Sequence, residues 1–198
     1  YVLNEKQRKY QFIKRLFDIV LCIPICITLL PFMVIFAVAI KLDSKGPILF
    51  KQTRVGKNKK LFKIWKFRTM RTDTPKDMPT HLLKNPEVFI TRTGRFFRKM
   101  SIDEFPQFFN ILKNDMNLIG PRPYMLNEKN KIGVYNEDIL LKVKPGITGL
   151  WQVSGRNNIT FADRIELDKW YIQNWSLWMD LKIILLTISL VLKRKNAY

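Results

Sequence analysis

The chain has 198 residues, enough for one domain or for one domain plus a membrane element. Thirty-five Lys and Arg against sixteen Asp and Glu leave a formal charge of +19, a field suited to nucleic acid, anionic headgroups or phosphorylated substrates. Two cysteines, Cys22 and Cys26, and a single distant histidine, His81, exclude a zinc site or a disulfide framework and read as apolar filling in a helix.

The chain opens on Tyr1 rather than methionine and is read as a piece of a longer protein. Residues 1–15 are polar and basic, and residues 19–40 carry no charge, a run of ~33 Å as a helix. Pro24 and Pro31 each remove a helical hydrogen bond. Basic residues flank both ends of the run, so the positive-inside rule places both on the cytoplasmic side. A helix that enters one leaflet, bends near Pro31 and returns satisfies both facts; one straight span is the alternative.

Residues 44–47 read as a turn, 48–50 as a short strand and 55–60 as a basic hairpin tip. Residues 61–68 alternate apolar and cationic, with Lys63, Lys66 and Arg68 expected on one face, either as a solvated edge or turned to phosphate. Residues 72–87 are a loop, and a basic segment with Arg92, Arg95, Arg98 and Lys99 follows.

Ser101-Ile102-Asp103-Glu104-Phe105-Pro106 then sets two adjacent carboxylates in this basic chain. Ser101-x-x-Glu104 has the form of a capping box, which would put Pro106 deep in a helix. With Asp103 as N-cap instead, Pro106 falls in the first turn, and Asp103 sits at the positive end of a helix dipole that favours a neighbouring phosphate. A plain cap and a catalytic pair both fit the spacing. Phe105, Phe108, Phe109 and Leu112 continue at helical spacing and are expected to face the core.

Gly120-Pro121-Arg122-Pro123 fixes Arg122 between rigid residues, where a guanidinium can fork onto phosphate; an ordinary turn is the plain reading. Residues 144–157 hold three glycines, Trp151, Arg156 and Asn157, as in a loop over a ring and an anion, although turn chemistry alone would produce it. From Phe161 onward the pattern reads as helix, and its tryptophans, apolar run and basic terminus describe an interfacial helix.

Together these segments resemble the bacterial sugar transferases, or monotopic phosphoglycosyl transferases, across residues 14–198. The carriers are Lys14-Arg15-x-Phe17-Asp18, Lys66-Phe67-Arg68-Thr69-Met70, Ser101-Ile102-Asp103-Glu104-Phe105-Pro106-Gln107, Gly120-Pro121-Arg122-Pro123 and Lys144-Pro145-Gly146-Ile147-Thr148-Gly149. The block at residues 149–157 and the final Ala197-Tyr198 look closer to the large members, the undecaprenyl-phosphate galactose and glucose phosphotransferases, which carry further membrane helices and a domain ahead of this part.

The resemblance implies a mixed α/β, helix-rich fold with a small sheet: a monotopic membrane protein with a re-entrant helix in residues 1–43 and a catalytic domain with interfacial helices in residues 44–198. It implies transfer of a hexose 1-phosphate from a UDP-sugar to undecaprenyl phosphate with release of UMP, the first membrane step of O-antigen, capsule or exopolysaccharide synthesis. By position Asp103 would be the nucleophile and Glu104 the Mg²⁺ ligand. Lys66, Arg68, Arg122 and Asp168 would serve substrate binding, with Gln152, Arg156 and Asn157 at the nucleotide or phosphates. Membrane lipids are further partners, and the large members suggest a homodimer. The implied place is the cytoplasmic face of the bacterial inner membrane, with no nucleic-acid partner. One departure stands out: small members have Ser-Pro at the bend, whereas this chain has Leu30-Pro31. A membrane-recruited nucleic-acid-binding module, and a catalytically silent scaffold of the same family, are the competing readings.

Overall fold

The computed structural model describes residues 4–75, 85–155 and 159–193. Helix α1 (Glu5–Asp43) runs unbroken through Pro24 and Pro31. Asn4 starts it, accepting the Gln7 N–H at 2.8 Å while the Gln7 side chain accepts the Asn4 N–H at 3.0 Å, a reciprocal capping box. Each proline lacks the N–H that would reach back one turn, so the Val20 and Ile27 carbonyls lose that donor. Residues Gln7–Asp43 are long and apolar enough to cross a membrane, and Phe12, Val20, Ile27, Ile35 and Leu42 among them are exposed.

Strands β1 (Leu49–Val55) and β2 (Leu61–Phe67) form the expected hairpin, in register from Leu49 opposite Phe67 to Val55 opposite Leu61. Strand β4 (Tyr124–Met125) pairs with the other edge of β1. The open edge of β2 is served by Asn110 of α3 (Gln107–Leu112), which accepts the Trp65 N–H at 3.0 Å and donates to the Lys63 carbonyl at 2.8 Å. A side-chain amide thus supplies what another strand would. Strand geometry alternates faces at every residue, so Phe62, Ile64 and Lys66 share one face and Lys63, Trp65 and Phe67 the other. Lys63 and Lys66, expected together, point oppositely because they are three residues apart.

Helix α2 (Arg92–Lys99) is capped by Thr91, which accepts the Gly94 N–H at 3.0 Å. Strand β3 (Asn117–Ile119) pairs in parallel with β5 (Gly146–Thr148), across an excursion through α4 (Leu126–Ile132) and α5 (Val134–Leu140). This ladder joins the Gly-Pro-Arg-Pro turn to the Lys-Pro-Gly segment: the Gly120 N–H donates to Thr148 O at 3.0 Å and the Gly146 N–H to Pro121 O at 2.9 Å. A Cβ on Gly146 would lie 2.1 Å from the Gly120 nitrogen, so the backbone contact itself demands glycine.

Helices α6 (Leu150–Val153), α7 (Phe161–Asn174) and α8 (Leu177–Leu192) complete the described chain. The helical stretch expected from Phe161 is thus divided in two at Trp175 and Ser176. Trp175 takes an extended backbone and buries its ring against Tyr10 at 5.4 Å, and Ser176 caps α8 by accepting the Met179 N–H at 3.2 Å. The fold is helix-rich, and its β structure is divided between a three-stranded sheet and a two-stranded one. The larger core centres on Ile64, Ile111, Ile119, Leu140, Tyr171 and Ile183; a smaller one packs Phe36 and Ile40 of α1 on Phe67, Phe97 and Ile102. In α3 the fully buried residues are Gln107, Asn110 and Ile111; of the four residues expected to face the core, Phe108 and Leu112 pack half-buried against the larger core, Phe105 against the smaller, and Phe109 against Trp65.

Lys14 fastens α1 to this core. It is 1% exposed and pairs with Asp180 of α8, which is 0% exposed. Tyr10 and Tyr171 donate to the same carboxylate at 2.7 and 2.6 Å. The next residue, Arg15, donates to the Ile111 and Leu112 carbonyls at the end of α3, at 2.6 and 3.0 Å. Removing one partner from a buried pair strands the other charge, so Lys14→Met is expected to cost ~3–5 kcal/mol. Lys14→Met combined with Asp180→Leu should recover a large part of that loss. Thermal melting of both variants in detergent checks this, and equal losses would mean that Asp180 does not depend on Lys14.

Candidate active site

Asp103 and Glu104 lie on a single 3-10 turn, Ile102–Glu104, between α2 and α3. Neither capping arrangement forms. Ser101 adopts a left-handed backbone, φ 56°, and makes no side-chain cap, while α3 begins after Pro106. The left-handed residue turns the chain sharply out of α2. Ile102 goes into the smaller core, and the two carboxylates stay half-buried beside the end of β2.

Lys66 donates to Glu104 at 2.7 Å. Arg98 of α2 donates to Thr69 at 2.9 Å and also acts on Asp103. Burial pushes the Asp103 carboxyl up to about 6, against the pull of Lys66; neighbouring Glu104 adds to the rise, and Arg98 opposes it. Burial rather than a missing countercharge sets this rise, and a carboxyl perturbed in this way within a charged cluster marks a candidate functional group.

A second charged group adjoins this one. Arg122 lies in the Pro-Arg-Pro turn with its guanidinium 5.4 Å from the Trp151 ring centre, and Arg164 of α7 lies 4.9 Å from the same ring. Glu128 sits between Arg122, at 3.4 Å, and Arg54 of β1, at 3.9 Å. Burial and the Arg122 charge pull Arg54 down to about 10, while Glu128 and then Glu104 oppose them, so Arg54 links the arginine cluster electrostatically to the acidic pair. Around Trp151, the Trp151 Nε1, Arg122 Nε and Gln152 Oε1 atoms are buried without a hydrogen-bond partner among the described residues. Such atoms are uncommon in a finished core and common where a polar ligand is received.

Two of the expected substrate residues are buried and hydrogen-bonded within the protein. Arg68 is 5% exposed and donates to the Pro47, Lys45 and Ser44 carbonyls at 2.6, 2.9 and 2.8 Å, locking the turn after α1. Asp168 is 0% exposed; it accepts the Arg122 backbone N–H at 2.9 Å and the Tyr124 hydroxyl at 3.1 Å, and its burial pushes it up to about 7. Its Oδ2 thus positions the turn, while its Oδ1 is buried without a hydrogen-bond partner among the described residues. Arg156 and Asn157 lie outside the described residues. Nothing in the local pattern of Arg54, Glu128 and Arg164 marks them as site residues, and Arg98 stands out in the sequence as one of four cations ahead of the acidic pair.

Titrating the side-chain carboxyls of ¹³C-aspartate-labelled protein by NMR should give a midpoint near 6 for Asp103. In Lys66→Met that midpoint should move upward, since the opposing charge is removed. An unchanged midpoint would separate Lys66 from Asp103.

The sequence profile described as bacterial sugar transferase matches residues 9–194. The undecaprenyl-phosphate galactose phosphotransferase of Salmonella typhimurium is 40% identical over 98% of this chain and 44% of its own length. The UDP-glucose:undecaprenyl-phosphate glucose-1-phosphate transferase of Klebsiella pneumoniae is 42% identical over 93% of this chain and 41% of its own. The uncharacterized sugar transferase EpsL of Bacillus subtilis is 44% identical over 91% of this chain and 87% of its own. The chain thus spans less than half the length of the first two relatives. On these matches the chain belongs to the bacterial sugar transferase family.

Proposed function

We propose that this chain transfers a hexose 1-phosphate, galactose or glucose, from a UDP-sugar to undecaprenyl phosphate on the cytoplasmic face of a bacterial inner membrane. This would begin an O-antigen, capsule or exopolysaccharide. The observation that carries the reading is the half-buried Asp103–Glu104 pair, bonded by Lys66 and adjoined by the arginine–tryptophan cluster. The names of the Salmonella and Klebsiella relatives supply the acceptor and the sugars.

In this reading an Asp103 carboxylate oxygen attacks the β-phosphorus of the donor. The bond from that phosphorus to the bridging oxygen breaks, and UMP leaves with the electron pair. An oxygen of the acceptor phosphate then attacks the same phosphorus, and Asp103 departs as free carboxylate. Attack on a charged phosphate requires neutralisation of its oxygens. Lys66 and Arg122 would contribute this, and the unpartnered Gln152 Oε1 would accept from the nucleotide.

Among the described residues no three His, Cys, Asp or Glu side chains form a cation cage. Mg²⁺ does not require one, since it keeps waters and takes one or two carboxylates with phosphate oxygens. The adjacent carboxylates of Asp103 and Glu104 supply the oxygen donors that such an ion takes, with Glu104 as the holding residue. Bound there, the ion would neutralise phosphate charge.

The re-entrant course of α1 belongs to the same proposal. Gln7 near one end donates to Ile172 O at 3.2 Å, and Asp43 at the other accepts the Thr93 N–H at 2.8 Å. A straight helix would separate these anchors by ~54 Å, more than the ~40 Å diameter of a compact domain of ~155 residues. A bend in the proline region brings both ends to one domain. The exposed apolar face of α8, with Trp178, Leu185 and Leu192, would lie in the same interface.

UMP release from a panel of UDP-sugars with undecaprenyl phosphate tests the reaction. Turnover with one hexose is expected, falling at least ~10³-fold in Asp103→Asn. Release that survives this substitution would remove the covalent step. Below pH 6, kcat/KM should fall tenfold per pH unit, because the nucleophile protonates; a flat profile there would exclude Asp103 as the ionising group. Cysteines placed at positions 8 and 45 should be labelled from the same side in spheroplasts and inverted vesicles, whereas opposite labelling would establish a straight span.

A further inference from the structure

A cleft of about 720 Å³ lies between the second half of α1 and the sheet. Its walls are apolar, with Leu30 and Val34 on the helix side and Leu49, Phe67 and Phe109 on the other; Lys51 is the charged residue lining it. A second, smaller cleft shares Lys51 and brings in Lys63, Trp65, Lys113 and Asp115. The Lys51 and Lys113 ammonium groups stand 5.1 and 5.2 Å from the Trp65 ring centre. Among the described residues none of these three lysines forms an ion pair, so the ring, not a carboxylate, orients two of them. Asp115 is the one opposing charge, and it accepts from Asn110 at 3.3 Å.

We propose that this is a binding site for an anionic bilayer phospholipid, with acyl chain in the apolar cleft and phosphate on Lys51 and Lys113. The combination of an apolar trough and three cations against one carboxylate matches a molecule with a greasy body and a negative head. The trough is bordered by Leu30 and Val34, both more than half exposed on the helix that is apolar enough for a membrane. The head is that of a bilayer lipid and not of the transferase's acceptor, because of strand alternation. Trp65 and Lys51 occupy the face of the sheet opposite to Lys66, the residue that bonds Glu104. A phosphate held between Lys51 and Lys113 therefore faces away from the acidic pair. Such a lipid fixes the height of the sheet against the membrane surface while leaving the reaction centre free.

The test does not use turnover, so its failure is separable from failure of the proposed reaction. The full chain is placed in micelles containing equal phosphatidylglycerol and phosphatidylethanolamine, and retained lipids are counted by native mass spectrometry. Phosphatidylglycerol should be retained preferentially. The Lys51→Gln/Lys113→Gln variant should lose that preference by about 25-fold, at roughly fivefold per lysine near a lipid phosphate, while Lys99→Gln, at an exposed position of α2, changes nothing. Leu49→Trp, which fills the cleft but keeps both lysines, should lose the adduct as well, with folding verified by circular dichroism. Equal retention of the two lipids, or an adduct unchanged in the double variant, overturns the proposal. Displacement of phosphatidylglycerol by equimolar undecaprenyl phosphate also overturns it, assigning the cleft to the acceptor.

Discussion

The buried pair between Lys14 and Asp180 is the constraint on which the rest of the molecule depends. A lone charge at either position would be expensive in that environment, so α1 can seat only where α8 presents its carboxylate. Tyr10 and Tyr171 complete the carboxylate's hydrogen bonds, which ties α7 into the same joint. With that register set, Arg15 meets the exposed carbonyls at the end of α3. The position of α3 in turn decides where Asn110 meets the edge of β2, and where the acidic turn before it can lie. The long apolar helix is thereby coupled to the candidate site through a chain of polar contacts.

The large positive charge divides into several populations with different tasks. Lys14, Arg15 and Arg68 are committed to interior joints, two of them by donating to backbone carbonyls. Lys66, Arg54 and Arg122 stand with carboxylates in the site, where mutual repulsion among cations is balanced by Glu104 and Glu128. Lys51 and Lys113 are held by an indole ring. Composition gives only the sum, and the sum describes affinity for anions without telling which cations are available to them.

The short motifs were legible because each has a local physical requirement. Gly146 must lack a Cβ where two backbones touch, and the prolines around Arg122 stiffen a turn whichever partner it meets. The hairpin followed from its basic tip and flanking alternation. By contrast, the role of Arg68 was not legible, since its three carbonyl partners lie 21 to 24 residues upstream and carry no side-chain signal. Arg164 escaped for the same reason: its partner ring belongs to another helix. Neither capping frame at the acidic pair forms, because Ser101 adopts a left-handed backbone instead of the extended one a cap needs, and α3 starts only after Pro106.

By itself the sequence determined the apolar helix, its prolines, the presence of paired carboxylates in a basic chain, and motifs specific enough to indicate the family. Those are properties of neighbouring residues, fixed by spacing and side-chain chemistry. Only the tertiary structure decided which charges face the carboxylates and which are buried as joints. It also decided that Asp168 supports Arg122 from beneath and that Lys63 and Lys66 lie on opposite faces of the sheet. Those outcomes depend on contacts between distant segments and on the desolvation that burial imposes, and neither is a function of local sequence.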